Sequence, residues 1–187
     1  MNYSIKNSGL ILFILLFFLD NVFGQTGKLF PSISGENSAD KVVTIPEDTM
    51  GKFTLIGMAY SKKSEDDLKT WFNPIYNSFI HKSAKPSLFN EPVPDVKVYF
   101  LPMFTGVNQA AAGTAKKKMV QGIDPKLHPH VVFYKGELKR YKDELDFEKK
   151  DIPYFFVLDK QGKIVYATSG SFSNKKLDEI YDVLEED

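Results

Sequence analysis

Two apolar runs that lack the alternation of a surface strand constrain the fold of this chain most strongly. They span residues 53–60 and 96–104. A strand with one wet face alternates apolar and polar residues, whereas a strand that is buried on both faces does not. Strands of the second kind belong to sheets that carry helices on both faces. The two runs therefore predict an α/β domain with central parallel strands.

Four further predicted strands complete a mixed sheet. Residues 41–45 and 130–134 are short, β-branched or aromatic, and predict strands. Residues 154–158 and 163–167 are two apolar runs joined by a turn that ends in glycine, at 159–162, which predicts an antiparallel hairpin. Because strands and helices alternate before this hairpin, we expect an α/β fold with a mixed sheet and helices on both faces.

A helix with one apolar stripe follows the first buried run. Ser64 is its predicted N-cap, and Glu65, Asp66 and Asp67 lie where acids stabilise the positive end of a helix. Capping explains this cluster without a metal or acid–base role. Pro74 falls inside the pattern and predicts a kink or a division of the helix. The stripe consists of Leu68, Trp71, Phe72, Ile75, Tyr76, Phe79 and Ile80.

The remaining segments are assigned by composition and spacing. Residues 81–95 contain three prolines and predict a loop, and the charged stretch 137–147 predicts a short helix or irregular chain. Ser173 is the predicted N-cap of the last helix. Residues 107–121 predict a helix that packs closely against the sheet, because it carries four small side chains, those of Ala110, Ala111, Ala112 and Ala115.

The chain begins with a pattern typical of an export leader. Lys6 precedes an unbroken apolar run at residues 10–19, and Gly24 offers a small residue before Gln25. We therefore expect a signal peptide at 1–24 and an exported protein, periplasmic or extracellular. An uncleaved N-terminal membrane anchor is the alternative. After cleavage we expect no stable membrane insertion, because no later segment is long and apolar enough to span a bilayer.

The mature part has the size of one domain. Residues 25–40 are polar and rich in Gly and Ser, and predict an extended lead-in to a domain at 41–187. Lys and Arg together number 24, and Asp and Glu also number 24. Binding of nucleic acid needs a basic surface, so this balance argues against a nucleic-acid partner.

The sequence contains no cysteine. Thiol–disulfide exchange, thiol peroxidase activity and cysteine-ligated metals are therefore excluded for this chain, since each requires a thiolate. An exported protein often gains stability from disulfides, so packing has to supply that stability here.

Two segments resemble the thioredoxin-like superfamily, in particular its exported and peroxiredoxin-like members. Residues 51–58 are similar to the first core strand after its Gly-Lys turn, and residues 152–165 resemble the hairpin that a cis proline opens. Residues 30–35 and 43–46 are also similar to the assembly-factor family of mitochondrial ATP synthase, which is thioredoxin-like. The resemblance implies a thioredoxin-like fold, a cis Ile152–Pro153 bond and, from the assembly factors, a role without redox chemistry.

The chain departs from the superfamily at the redox site. The redox pair of the superfamily lies between the first core strand and its helix, and here Lys63 and Asp66 occupy the corresponding positions. The backbone before the hairpin proline faces this loop in the superfamily and can pair with an extended peptide. The resemblance therefore implies a candidate binding surface made of Tyr60, Ser61, Lys62, Lys63, Ser64, Ile152 and Pro153.

Other candidate chemistry lacks a supporting pattern. His128 and His130 match no zinc spacing and are interpreted as loop residues. Neither Ser61 nor Ser64 lies in a nucleophile elbow. No phosphate loop or dinucleotide fingerprint is present, and we expect no catalytic residue, metal or cofactor.

Three functional hypotheses follow from these patterns. The leading one is a redox-inactive binding or assembly module with an unknown protein or peptide partner. The second is a non-thiol enzyme on the same scaffold, which requires a strongly perturbed titration of Lys63, Asp66 or a histidine. The third is a structural subunit of a cell-envelope complex, which requires a contiguous apolar patch.

Overall fold

The computed structural model describes residues 24–81 and 95–185. The predicted leader, apart from Gly24, lies outside these residues, and so does the predicted loop at 81–95, apart from its two ends. Seven strands are present in the described chain: Ile33–Glu36 (β1), Val42–Ile45 (β2), Phe53–Ala59 (β3), Val96–Thr105 (β4), Tyr134–Gly136 (β5), Tyr154–Leu158 (β6) and Ile164–Ser169 (β7).

Five of these strands form one mixed sheet in the order β5-β4-β3-β6-β7. The central strand β3 runs parallel to β4 and antiparallel to β6, and Ile56 lies between Tyr99 and Phe156. The predicted hairpin is confirmed as the antiparallel pair β6–β7. Six of the seven residues of β3 are buried, as the absence of alternation predicts.

Helices cover the two faces of the sheet. Alternate residues of β3 belong to two hydrophobic clusters, with Ile56 and Met58 in one and Leu55 and Ala59 in the other. The α-helices are Lys62–Lys69 (α1), Phe72–Ile75 (α2), Ala112–Gly122 (α3), Lys139–Leu145 (α4) and Asn174–Glu185 (α5). The first cluster includes the β1–β2 ribbon and α4, and the second includes α1, α2 and α5.

The segment predicted as an extended lead-in packs onto the sheet. Phe30 and Ile33 are buried, and Phe30 makes an edge-on contact with Phe156 at 5.7 Å. Gln25 is also buried, and its amide donates a hydrogen bond to Asp146. In the structure the folded unit therefore includes residues that precede residue 41.

The first helix begins earlier than predicted. Ser61, rather than Ser64, is the N-cap of α1: Ser61 Oγ accepts from the Ser64 N–H at 3.1 Å, and Ser64 Oγ accepts from the Ser61 N–H at 2.9 Å. This is a reciprocal capping box, in which two helix-end donors are satisfied at once. Ser64 is the third residue of α1. Its side chain completes the capping box, although Ser61 is the N-cap.

Pro74 divides the helix, as the sequence predicts. α1 ends at Lys69 and α2 begins at Phe72, so Pro74 is the third residue of a new helix. The first N–H groups of a helix have no partner within it, and proline is therefore tolerated there. A π-helical turn, Tyr76–Ile80, follows directly.

Two sequence predictions differ from the structure. The strand predicted at 130–134 is present only in part: His130 ends a 3-10 turn, Pro125–His130, Val131 and Phe133 form isolated bridges with Phe100 and Glu36, and the regular strand β5 begins at Tyr134. The helix predicted at 107–121 begins as a 3-10 turn and continues as α3, none of whose residues is buried. The predicted packing holds for two of its four alanines: Ala112 and Ala115 are half-buried and pack against the second hydrophobic cluster, whereas Ala110 and Ala111 are exposed.

Candidate functional site

The fold brings together the two segments of the predicted binding surface. Met58 pairs with Tyr154 in the β3–β6 ladder, so the residues that follow β3 lie beside those that precede β6. Ser61 Oγ donates a hydrogen bond to Asp151 Oδ1 at 2.9 Å, which joins the start of α1 to the loop before β6. The contact links positions 90 residues apart in the chain.

The seven predicted residues divide into scaffold and surface. Tyr60, Ser64 and Pro153 are buried, so they position their neighbours and offer little contact area. Ser61 and Ile152 are half-buried, whereas Lys62 and Lys63 are exposed. A partner that approaches this place therefore meets four side chains: Ser61, Lys62, Lys63 and Ile152.

The peptide bond before Pro153 differs from what the resemblance implies. Within residues 24–81 and 95–185 the one cis bond is Ile45–Pro46, and Ile152–Pro153 is trans. The carbonyl of Pro153 accepts a hydrogen bond from the N–H of Gly170 at 2.8 Å. That carbonyl therefore already has a partner within the β6–β7 hairpin.

An aromatic side chain that the sequence did not single out fills the space behind the site. The ring of Phe147 stacks on Tyr60 at 5.6 Å and on Tyr154 at 4.6 Å, and it is almost fully buried. Tyr60 donates its hydroxyl to the carbonyl of Phe147 at 3.1 Å. Burial of the phenol, with smaller contributions from nearby Tyr154 and Asp151, raises the pKa of Tyr60 to about 12. These three rings form a closed stack next to the α1 N-terminus.

The charged residues of α1 pair with one another on its exposed side. Lys62 contacts Asp66 at 2.5 Å, and Lys69 contacts the same carboxylate at 3.2 Å. Hydrogen bonds from the two ammonium groups lower the pKa of Asp66. Burial raises the pKa of the neighbouring Glu65. This pattern is that of a solvated helix face with one i,i+4 and one i,i+3 ion pair.

A groove opens beside Ile152 and follows the outer side of β7. Its volume is about 870 Å³, and its walls include Tyr154, Ala167, Ser169 and Lys176. Residues 27–30 of the same chain already pair with the start of β7, since the Ile164 N–H donates to the Lys28 carbonyl at 2.9 Å. In the described chain no strand pairs with residues 165–169 on this outer side.

The free backbone groups of this edge follow from the ladder geometry. Gly170 turns its N–H inward to Pro153, and backbone groups of alternate residues in an antiparallel ladder face the same neighbour. Ala167 and Ser169 therefore turn theirs outward, into the groove. Lys176 donates to the Ser169 carbonyl at 2.8 Å, which satisfies one of these groups. The groove thus presents backbone donors and acceptors beside an apolar residue, Ile152.

The titratable side chains that a non-thiol enzyme would require, Lys63 and a histidine, do not lie together at one site. His130 contacts the Val98 carbonyl at 3.0 Å, and Val98 lies beside Leu55, near the start of β3. Lys63 lies beyond the opposite end of that strand. Within residues 24–81 and 95–185 no group of three or more His, Asp or Glu side chains is arranged to hold a metal ion. No helix in the same residues has the length and apolarity needed to cross a membrane.

His130 predicts a pH dependence of stability. Burial lowers its pKa in the folded protein, while the bond to Val98 opposes this more weakly. Between the folded pKa and the unfolded value of about 6.5, the unfolded chain binds more protons, so stability falls as the pH falls through this window. We expect urea unfolding at pH 7.5 and pH 5 to show a smaller loss of stability in His130→Gln than in the wild type. Equal losses in the two proteins would show that His130 does not carry this effect.

Comparison with known proteins places this geometry in a fold. No family model matches the sequence, and no curated protein matches it either. Solved structures do match. A Chlorobium tepidum protein assigned as a thiol:disulfide interchange protein, DsbE, gives a TM-score of 0.55 at 13% identity, covering 85% of this chain and 97% of its own.

Two further structures agree with this match. A Bacteroides thetaiotaomicron protein assigned as a protein disulfide isomerase gives a TM-score of 0.54 at 16% identity, with 86% of this chain and 91% of its own covered. An uncharacterised conserved protein from Geobacillus kaustophilus gives 0.51 at 18% identity, with coverages of 79% and 69%. The chain therefore has the thioredoxin-like fold, and it has this fold without a single cysteine.

Proposed function

We propose that this protein is an exported, redox-inactive thioredoxin-like module that binds an extended segment of a protein or peptide. The observation that carries the proposal is the groove along β7, which joins the candidate surface at Ile152. Its partner contacts Ile152 and the outward backbone groups of Ala167 and Ser169. Lys63, near the start of α1, is the exposed cation of the candidate surface.

The chemistry at the former redox position supports a binding role. The chain has no thiol, and of the two residues at the redox-pair positions Lys63 is exposed to solvent and Asp66 is ion-paired with Lys62 and Lys69. The stack of Tyr60, Phe147 and Tyr154 closes the space behind it. A substrate would find neither a reactive group nor a cavity at this point. The β7 side, in contrast, is open.

Strand addition is the binding mode that fits the groove. An exposed sheet edge binds extended peptides through main-chain hydrogen bonds, and pockets for alternate side chains give specificity. The pairing of residues 27–30 with Ile164 shows that this edge already accepts an antiparallel segment at its start. A partner strand would continue this pairing along Ala167 and Ser169.

Export is the second part of the proposal and rests on the leader pattern. Cleavage after Gly24 would leave Gln25 as the first residue of the mature protein. We expect the mass of the protein recovered from the periplasm or medium to correspond to a start at Gln25. Recovery of the uncleaved chain in the membrane fraction would favour the anchor instead.

A peptide-display selection against the purified protein tests the binding function. We expect enrichment of extended peptides whose affinity falls at least tenfold in the double variant Ile152→Asp/Ala167→Pro. Proline at position 167 removes a backbone donor on the outer edge, and aspartate at 152 places a charge in the apolar part of the groove. Lys117→Glu serves as the matched control, because it changes an exposed lysine on α3, beyond the other edge of the sheet.

Circular dichroism establishes that each variant is folded before binding is measured. Nuclear magnetic resonance of the wild type provides a readout without mutation, since a bound peptide should shift the amide signals of Ala167 and Ser169. The proposal is overturned if no peptide is enriched. It is also overturned if bound peptides shift amide signals elsewhere in the protein and bind the double variant with unchanged affinity.

A further inference from the structure

A second cavity lies at the opposite edge of the sheet, beyond β5. It has a volume of about 450 Å³, within the range of about 300–1,000 Å³ that small-molecule sites occupy. The strands β2 and β4 supply Val42 and Phe104, the segment before β5 supplies Phe133, and α3 supplies Ala112, Gly113 and Lys116. We refer to this cavity as the α3 cleft.

The cleft exists because α3 presents small residues to the sheet. Ala112 and Ala115 pack half-buried against the second hydrophobic cluster, but no residue of α3 is fully buried, so a cleft remains beside Gly113 and Lys116. A Cβ atom added at Gly113 would have no atom within 4 Å, which shows that open space faces this position. In contrast, a Cβ at Gly35 would lie 2.8 Å from the Phe133 carbonyl oxygen, so the floor of the cleft is tightly packed.

The floor of the cleft is aromatic. Phe104 and Phe133 are both buried except for a small exposed area, and their rings lie nearly parallel at 6.5 Å. Val42 forms part of the rim and exposes 57% of its surface, which is unusual for a valine in a strand of this domain. A ligand with a flat apolar body would cover these surfaces and gain the free energy of apolar burial.

The polar side chains around the cleft already have partners. Ser34 bonds to Thr44 at 2.9 Å, and Tyr134 donates to the Glu137 carbonyl at 2.9 Å. Lys116 exposes 17% of its side chain and pairs with Asp40 at 2.6 Å and with Glu36 at 3.3 Å. Its charge is therefore compensated inside the protein. Lys135, also at the rim, is exposed to solvent.

This pattern of charge decides the class of ligand. An anion would approach Lys116 only by displacing one of its carboxylates or by lying next to them, and like charges in contact are costly. Because Ser34 and Tyr134 are also satisfied, and Lys135 is solvated at the rim, no buried polar group of the wall calls for a charged or strongly hydrogen-bonding ligand. We propose that the α3 cleft binds an uncharged aromatic small molecule.

The test is a fluorescence titration of the full protein with N-phenyl-1-naphthylamine, an uncharged dye whose emission rises in apolar sites. We expect saturation at one equivalent with a dissociation constant on the order of micromolar. Gly113→Leu should weaken binding at least tenfold, because leucine would fill the cleft. Gly113→Ala is the matched control, and its affinity should stay within about twofold of the wild type, since one methyl group leaves most of the volume free.

Two further measurements make the outcome decisive. The dye should shift the methyl signals of Val42 and the ring signals of Phe133 in the wild type, which requires no variant. The sulfonated dye 8-anilinonaphthalene-1-sulfonate should bind at least tenfold more weakly. Absence of saturable binding overturns the site, unaltered affinity in Gly113→Leu overturns its location, and equal affinity for the sulfonate overturns the uncharged class. Each of these results is independent of the groove along β7.

Discussion

Replacement of Trp71 by alanine is expected to lower the free energy of unfolding by about 3–5 kcal/mol. Trp71 lies at the junction of α1 and α2 and is fully buried. Its ring stacks on Phe155 of β6 at 4.0 Å and meets Phe172 edge-on at 5.4 Å. Alanine would remove these contacts and leave a cavity between the helices and the sheet.

Trp71 also holds a long-range hydrogen bond. Its indole N–H donates to the carbonyl of Gly170 at 3.0 Å, which ties α2 to the end of β7. Loss of that donor leaves a polar group unpaired, at an additional cost of about 1–3 kcal/mol where the group stays buried. A domain of this kind has about 5–15 kcal/mol of stability in total, so the alanine variant should be close to unfolding.

Urea unfolding at pH 7.5 measures this effect. Trp71→Phe separates the loss of packing from the loss of the hydrogen bond, because phenylalanine keeps part of the ring stack and lacks the N–H donor. We therefore expect Trp71→Phe to lose clearly less stability than Trp71→Ala. Lys175→Ala, at an exposed position of α5, should change stability by less than about 0.5 kcal/mol. A Trp71→Ala protein as stable as Lys175→Ala would contradict the packing described for this face of the sheet.

The second large effect is expected at Phe147. Alanine at this position removes the ring that stacks between Tyr60 and Tyr154, and we expect a loss of about 3–5 kcal/mol. Phe147→Leu should lose less stability than Phe147→Ala, since leucine fills much of the same volume. Urea unfolding of the two variants compares these losses.

The same substitution probes the chemistry of the site. Removal of the ring opens space behind the position of the missing redox pair, yet the chain still lacks a thiolate. We therefore expect Phe147→Ala to show no disulfide or hydroperoxide turnover. Turnover by this variant, or equal stability of the alanine and leucine variants, would contradict the view that Phe147 is a structural filling of a thiol-free site.

The sheet was accessible from sequence because its signals are local. The runs at 53–60 and 96–104 and the hairpin at 154–167 each carry their pattern within a few residues. Pro74 likewise marked the division between α1 and α2. Such features depend only on the residues that are adjacent along the chain, so the local order of apolar residues, glycines and prolines is sufficient to predict them.

The errors arose where distant contacts decide the structure. Phe147 contacts Tyr60, which lies 87 residues earlier in the chain, and Asp151 accepts a hydrogen bond from Ser61 across a similar separation. The sequence offers both Ser61 and Ser64 as N-caps, and only their reciprocal hydrogen bonds identify Ser61 as the residue at which the helix begins. The alanines of α3 indicate small side chains, but they do not indicate whether the helix closes on the sheet or leaves a cleft.

One measurement tests the central claim most directly, namely that this chain has the thioredoxin-like arrangement and that aromatic rings fill the space behind the position of the redox pair. A nuclear Overhauser spectrum of the wild-type protein should show cross-strand contacts between Ile56 and Phe156, together with ring contacts from Phe147 to both Tyr60 and Tyr154. Absence of the β3–β6 contacts would contradict the architecture. Presence of those contacts without the ring contacts would contradict the filled site.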